Sequence, residues 1–182
     1  MSKTLWQLDP VHSAVDFSVK HMMFTTVRGR FKDVKGTIEI DEQDPSRTRI
    51  DVEIAAASID TGVADRDTHL RSADFLDVEN YPVITFRSTR VEGTIKEEGT
   101  SFTVTGELTI RGKTAEVTLD ATYLGSGKDP WGNIKSGAEA STKIDRREWG
   151  LVWNQALDTG GILVGNDIRI DIQVQAVKAP AA

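Results

Sequence analysis

Apolar and polar residues alternate with a period of two along most of this chain. Val15, Phe17 and Val19 alternate with Asp16, Ser18 and Lys20, and Val34, Gly36, Ile38 and Ile40 alternate with Lys35, Thr37 and Glu39. Ile50, Val52 and Ile54 flank Asp51 and Glu53 in the same way. The pattern returns at Phe102–Ile110 and Val117–Tyr123. It is most regular at Ile168–Val174, where Arg169, Asp171 and Gln173 separate the apolar positions. Such alternation turns one face of a strand to an apolar interior and the other to water, as in antiparallel sheets. Arg111-Gly112-Lys113 divides two of the runs and reads as a tight hairpin turn. Less regular runs at Leu5–Leu8, Val27–Phe31, Val83–Arg87 and Ile134–Ile144 bring the total to eight or more strands. The best helical candidate is Asp65–Phe75, a short, mostly polar segment anchored by Leu70 and Phe75 and placed as a lid or plug between two strand blocks.

Two designs accommodate this many amphipathic strands: a two-sheet sandwich and a closed barrel. Runs of about ten residues reach about 33 Å at strand rise, which is long for a sandwich of this size. A barrel of about eight strands can hold one small ligand. The inward positions carry Gly36, Gly106, Ala121, Ala138 and Ala140. Small residues there are compatible with a hollow interior and equally with strand curvature. The expectation from the pattern is an all-β chain of eight or more antiparallel strands with a short helical lid, in which run length favours a barrel and the sandwich stays open. Residues 1–178 form one domain, and Ala179–Ala182 form a disordered tail.

Composition narrows the chemistry. The 22 Lys and Arg against 28 Asp and Glu give a net charge of −6, which argues against a nucleic-acid partner because nothing would neutralise the phosphates. The absence of cysteine excludes disulfides, thiolate metal sites and a thiol nucleophile. The longest stretch free of Asp, Glu, Lys and Arg is Trp149–Leu157, far short of the roughly 20 residues of a transmembrane helix. The N-terminus has no apolar run of signal-peptide type, so the expected location is the cytoplasm.

Candidate catalytic groups are few. His12 and His21 are nine residues apart and on one continuous strand would face opposite ways, and His69 has only Asp65 and Asp67 close by, so no metal site is expected. Ser13 follows His12 but has no nucleophile elbow or oxyanion loop, and the plain reading is a hydroxyl that bonds the turn near Pro10. The Arg66-Asp67-x-His69-Leu70 segment is the densest polar cluster. Structurally, Asp65 or Asp67 caps a helical turn and Arg66 pairs an acid on a neighbouring strand. Functionally, Arg66 and His69 bond the head of a ligand at a barrel mouth.

Several motifs together resemble the YceI-like family of lipocalin-like proteins. They begin with Trp6-x-x-Asp9-x-x-His12-Ser13-x-x-x-Phe17-x-x-x-His21 and Val27-Arg28-Gly29-Arg30-Phe31. The block from Ala57-Ser58-Ile59-Asp60-Thr61-Gly62 through Arg66-Asp67-x-His69-Leu70-Arg71-Ser72-x-Asp74-Phe75 follows, then Tyr81-Pro82-x-Ile84-x-Phe86-x-Ser88. Gly106-x-Leu108-Thr109-Ile110-x-Gly112-x-Thr114, Ile144-x-Arg146, Glu148-Trp149-Gly150 and Val164-Gly165-x-Asp167-x-x-Ile170 complete the set in family order. Lys113 stands where an apolar residue is expected, and Trp149 where Phe is expected.

The resemblance implies an all-β fold, an extended antiparallel, lipocalin-like barrel of about eight strands, with a long apolar tunnel that holds a polyisoprenoid or a prenylated quinone, a homodimer, and no catalytic activity or cofactor. Tunnel-lining candidates are Val15, Phe17, Val19, Phe31, Ile38, Phe75, Phe86, Val104, Leu108 and Trp149. The polar head is expected near His21, Arg66, Asp67 and His69. The alternative is an enzyme acting on an isoprenoid or quinone, with His21 or His69 as acid–base.

Overall fold

The computed structural model describes residues 3–93, 95–158 and 161–180. Its strands are β1 (Lys3–Leu8), β2 (Ala14–His21), β3 (Thr25–Phe31), β4 (Val34–Asp41), β5 (Arg49–Ala55), β6 (Ile59–Asp60), β7 (Val83–Gly93), β8 (Ser101–Ile110), β9 (Lys113–Lys128), β10 (Ile134–Asp145) and β11 (Asp167–Lys178). One helix, α1 (Ala64–Arg71), lies between β6 and β7. Eight strands pair in the order β1-β4-β5-β7-β8-β9-β10-β11, and β11 returns to β1, so the barrel is closed and a sandwich is excluded. Every pairing is antiparallel.

The barrel is extended at one end because three of its staves continue past a break. β11 pairs with β1 through Leu8↔Ala176 and then with β2 from Gln173↔Ala14, so β1 and β2 run along the same partner on either side of residues 9–13. At that break Ser13 takes the place of a backbone pair. Its hydroxyl donates to the Gln175 carbonyl and accepts from the Gln175 N–H, both at 3.2 Å. The hydroxyl therefore serves the sheet and not the Pro10 turn, because β11 would otherwise lose a ladder partner there. β3 and β4 follow β2 and β1 in the same broken fashion, and β6 continues β5 to reach β3.

The expected hairpin falls at Arg111-Gly112, both with positive φ (51° and 72°), joining Ile110 to its cross-strand partner Lys113. Left-handed conformations at both central positions match the twist of the flanking strands. The helix is shorter than its sequence pattern predicts and ends at Arg71. The Ser72 N–H and hydroxyl both bond the His69 carbonyl, and Leu76 and Val78 fold back onto Leu70 and Arg71, so Phe75 lies in the turn beyond the helix. Ala179 remains tied to the barrel through its N–H to the Leu5 carbonyl at 2.8 Å, whereas Ala181 and Ala182 lie outside the described residues.

The α1 end of the barrel is solid, filled by core side chains that form a plug distinct from the helical segment. Ile59, Leu76, Ile84, Ile110, Ile144 and Leu151 are buried around Trp149, whose exposure is 0% and whose indole N–H donates to the Leu108 carbonyl at 2.8 Å. The other end is formed by the β4–β5, β7–β8 and β9–β10 connections.

Candidate functional site

Inside the barrel, on the side of the plug away from α1, lies a cavity of about 210 Å³. All eight closing strands contribute to its wall, among them Trp6, Ile38, Ile50, Val104, Val117 and Ile172. The wall is mostly apolar, with Ser13, Thr48, Tyr123, Ser136 and Thr142 as its hydroxyl-bearing residues, and no Lys, Arg or His borders it among the described residues. Glu139 and Gln173 border it but are themselves exposed.

The small residues divide into two groups. Ala121, Ala138 and Ala140 face the cavity, where their short side chains leave the space. Gly36 and Gly106 leave none. A Cβ on Gly106 would stand 2.5 Å from the Phe86 ring and one on Gly36 2.9 Å from the Leu8 side chain, so larger neighbours fill these gaps. Gly29 is covered likewise by the ring of Phe17, its cross-strand partner. The hollow is thus carved mainly from the β9–β10 wall, and the sheet glycines serve close packing.

Of the residues expected at the ligand, Val15, Ile38, Phe86, Val104 and Leu108 line this cavity. Phe17 and Phe31 pair with ring centroids 5.6 Å apart on the β2–β3 extension, and Val19, one turn of the pleat further on, is half-buried. Trp149 belongs to the plug. Phe75 packs with His69 and Trp153 at centroid distances of 5.1 and 5.3 Å and does not border the cavity. The expected list omitted Ile170, Ile172 and Val174 of β11 and the three alanines, although the same alternation marks their inward faces.

The polar cluster beside α1 is engaged within the protein. Buried Asp67 accepts from the Thr61 N–H (2.9 Å) and hydroxyl (2.6 Å). Arg66 donates to the Thr61 hydroxyl and carbonyl, and not to an acid on a neighbouring strand. Asp67 pins the loop before the helix instead of capping it, and the N-cap residue, Val63, makes no side-chain cap bond. His69 Nε2 meets the Asp74 carboxylate at 2.9 Å, and its ring stands edge-on to Trp153 at 4.6 Å. His21 bridges to Val164, and His12 pairs with Asp9 at 2.8 Å, a bond that holds the Asp9 carboxyl below its usual range. Among the described residues no group of His, Asp and Glu could hold a metal ion. No helix is long and apolar enough to cross a membrane.

Sequence reasoning gave no role to two residues with unusual settings. Arg146, 3% exposed, has no ion-pair partner among the described residues and donates to the carbonyls of Leu151, Trp153, Val164 and Gly165. It fastens the 150–166 loop over the plug, and burial lowers its pKa from the ordinary guanidinium value. Thr48, just before β5, is buried on the cavity wall.

A closed antiparallel barrel with one short helix and an apolar interior defines a lipocalin-like architecture. The chain belongs to the YceI-like domain family, whose pattern matches residues 6–176. It is 42% identical over 167 residues to Protein YceI of Salmonella newport, covering 92% of this chain and 82% of that protein. Identity to a UPF0312 protein of Serratia proteamaculans is 40% over 168 residues, with the same coverage of 92% and 82%. The Campylobacter jejuni YCEI crystal structure is similar with a TM-score of 0.73 and 32% identity, covering 88% of this chain and 90% of that one. Burkholderia cenocepacia BcnA shares the fold at a TM-score of 0.77 and 23% identity (92% and 98% covered). So does a Saccharophagus degradans domain described as polyisoprenoid-binding, at 0.67 and 16% (96% and 98% covered).

Proposed function

We propose that this protein binds a polyisoprenoid or prenylated quinone-type lipid by its hydrocarbon chain within the barrel, and carries, stores or protects it without altering it. The observation that carries the reading is the apolar cavity walled by all eight strands of a closed barrel. Family membership and the polyisoprenoid-binding description of the Saccharophagus domain support it.

Size sets a condition on the ligand. A volume of 210 Å³ admits about seven groups at roughly 30 Å³ each. At about 0.8 kcal/mol per buried methylene, these contribute about 6 kcal/mol, comparable to the cost of association itself. A tightly held chain therefore occupies more of the barrel than this. The extra room comes from spreading the alanine-lined β9–β10 wall or parting the plug. Only in the second case does a head group meet His21, Arg66, Asp67 and His69. Arg66→Ala with His69→Ala then weakens a headed lipid more than a bare isoprenoid, and equal effects on both remove these residues from that role.

The test is to purify the protein without added lipid, extract it with organic solvent and identify the extract by mass spectrometry. A stoichiometric isoprenoid or prenylated quinone of unchanged mass supports the proposal. A ligand whose mass changes on incubation with the protein makes it an enzyme instead. No extracted lipid, together with no thermal shift on adding one, leaves a structural barrel. The resemblance also implies a homodimer, which light scattering checks.

A further inference from the structure

The β2–β3 turn presents three consecutive apolar side chains to solvent: Met22 is 41% exposed, Met23 63% and Phe24 79%. A contiguous exposed patch of large apolar side chains marks a surface that something else covers. The backbone holds them there at a cost. Met22 and Met23 both lie in the left-handed region, at φ of 50° and 64°, which suits glycine or asparagine better than methionine. The tip is nonetheless fixed beside the 150–166 loop. The Phe24 N–H donates to the His21 carbonyl at 3.1 Å, the Met22 N–H donates to the Leu163 carbonyl at 2.8 Å, and the Met23 sulfur lies against Gly161. The arm behind the tip is cationic, in a chain whose net charge is −6. From Phe17 to Lys32 it carries Lys20, Arg28, Arg30 and Lys32 and no Asp or Glu. Arg30 pairs with Asp16 at 3.0 Å, and Lys32 pairs with Asp60. The two cations nearest the tip, Lys20 and Arg28, enter no ion pair among the described residues, and Lys20 donates only to the Thr26 hydroxyl at 3.0 Å. The register Ser18↔Arg28 and Lys20↔Thr26 puts both on the same exposed face, on successive rungs behind the tip. The 150–166 loop alongside adds one acid, Asp158, and no cation.

We propose that the β2–β3 tip docks the protein on an anionic lipid surface: Met22, Met23 and Phe24 enter the boundary between headgroups and acyl chains, and Lys20 and Arg28 meet the lipid phosphates. An apolar tip inside a cationic collar binds such an interface by two additive effects, burial of apolar area and attraction to anionic headgroups. Neutral lipid supplies only the first. A protein partner is disfavoured by size, because three side chains on a turn fall far short of the about 800 Å² per partner that a stable interface buries. The fixed turn also suits insertion, since little conformational freedom remains to be lost when the tip goes in. The proposal goes beyond the lipid-binding reading and does not depend on it, because docking requires nothing in the barrel. The two together would bring an apolar cavity to the surface where apolar lipids reside.

The experiment measures co-sedimentation of the protein with vesicles of phosphatidylcholine, alone or mixed with an equal part of phosphatidylglycerol. The wild type binds the anionic vesicles at least about tenfold more tightly than the neutral ones, and the binding weakens as salt is raised. Met23→Ser with Phe24→Ser weakens it about tenfold. Lys20→Gln with Arg28→Gln removes the preference for anionic lipid. Because the chain has no cysteine, Thr25→Cys at the tip and Glu97→Cys in the β7–β8 connection each accept a single environment-sensitive fluorophore in an otherwise unaltered protein. On anionic vesicles the emission of the tip label shifts to the blue, and that of the Glu97→Cys label does not. No binding to anionic vesicles, equal binding to neutral ones, or binding that the tip variants leave unchanged overturns the proposal. So does self-association that Phe24→Ser abolishes in a protein that ignores vesicles, which would make the tip a contact between copies of the chain. The solvent-extraction test above reads the cavity alone, so the two proposals fail separately.

Discussion

If the cavity exists to hold a ligand, filling it with protein should raise stability and abolish binding. Ala121 and Ala138 both face the hollow, and on adjacent strands they are diagonal neighbours, since Ala121 pairs with Ala140 and Ala138 with Tyr123. Leucine at either position adds three carbons, roughly 90 Å³ at about 30 Å³ per group. The pair would therefore occupy most of the 210 Å³. Void volume in a core costs about 24 cal/mol per Å³, which sets a ceiling of about 2 kcal/mol gained per substitution. Imperfect rotamers take back part of that, so the double variant should gain about 1–3 kcal/mol in urea denaturation with an unchanged m-value. Binding of a fluorescent prenyl probe should weaken at least tenfold. The reasoning is refuted if the variant is destabilised with its fold intact, which would mean the wall already packs tightly. Undiminished probe binding refutes it too, because the ligand would then sit elsewhere.

The remaining expectations concern how the barrel ends are held. Arg146→Met strips the donors from the Leu151, Trp153, Val164 and Gly165 carbonyls and should cost about 3 kcal/mol, with hydrogen exchange accelerating first in residues 150–158. Uniform acceleration along the chain would mean that the arginine does not fasten that loop. The β2–β3 turn places Met22 and Met23 at φ of 50° and 64°, with the Phe24 N–H on the His21 carbonyl, and its two methionines and Phe24 are exposed. Met22→Asn with Met23→Gly suits that turn better and should stabilise by about 1–2 kcal/mol, whereas a loss would show that the methionine contacts outweigh the backbone strain. Asp145 is held at about 2 by Arg147, so its contribution is complete above the ordinary 3.8 and lost as pH falls through 2. Asp145→Asn should therefore flatten part of the acid-induced loss of stability between pH 4 and pH 2, and parallel curves for the two proteins would count against the pair.

The strands were legible in the sequence because their information is periodic. Val34–Ile40, Phe102–Ile110 and Ile168–Val174 each declare an inward face residue by residue, but a two-sheet sandwich shows the same alternation, so closure was carried by run length and the family motifs. The broken staves were not legible, because nothing local distinguishes residues 9–13 from an ordinary turn. Only the pairing of both Leu8 and Ala14 along β11 reveals one stave in two pieces. The site was half legible for a related reason. Parity says which side chains point inward, but not how far along the axis they lie, and height decides whether an inward residue meets a cavity or a plug. Ile38 and Ile110 have the same parity signature, yet one lines the hollow and the other seals it. Nor does parity weigh neighbours: Gly106 reads as space until the Phe86 ring is placed over it. The polar groups misled most, because Arg66 and His69 look unpartnered in a list of residues, whereas Thr48 looks ordinary. Only the three-dimensional count of donors and acceptors reverses that order, with Arg66 committed to Thr61, His69 to Asp74, and the Thr48 hydroxyl buried without a partner.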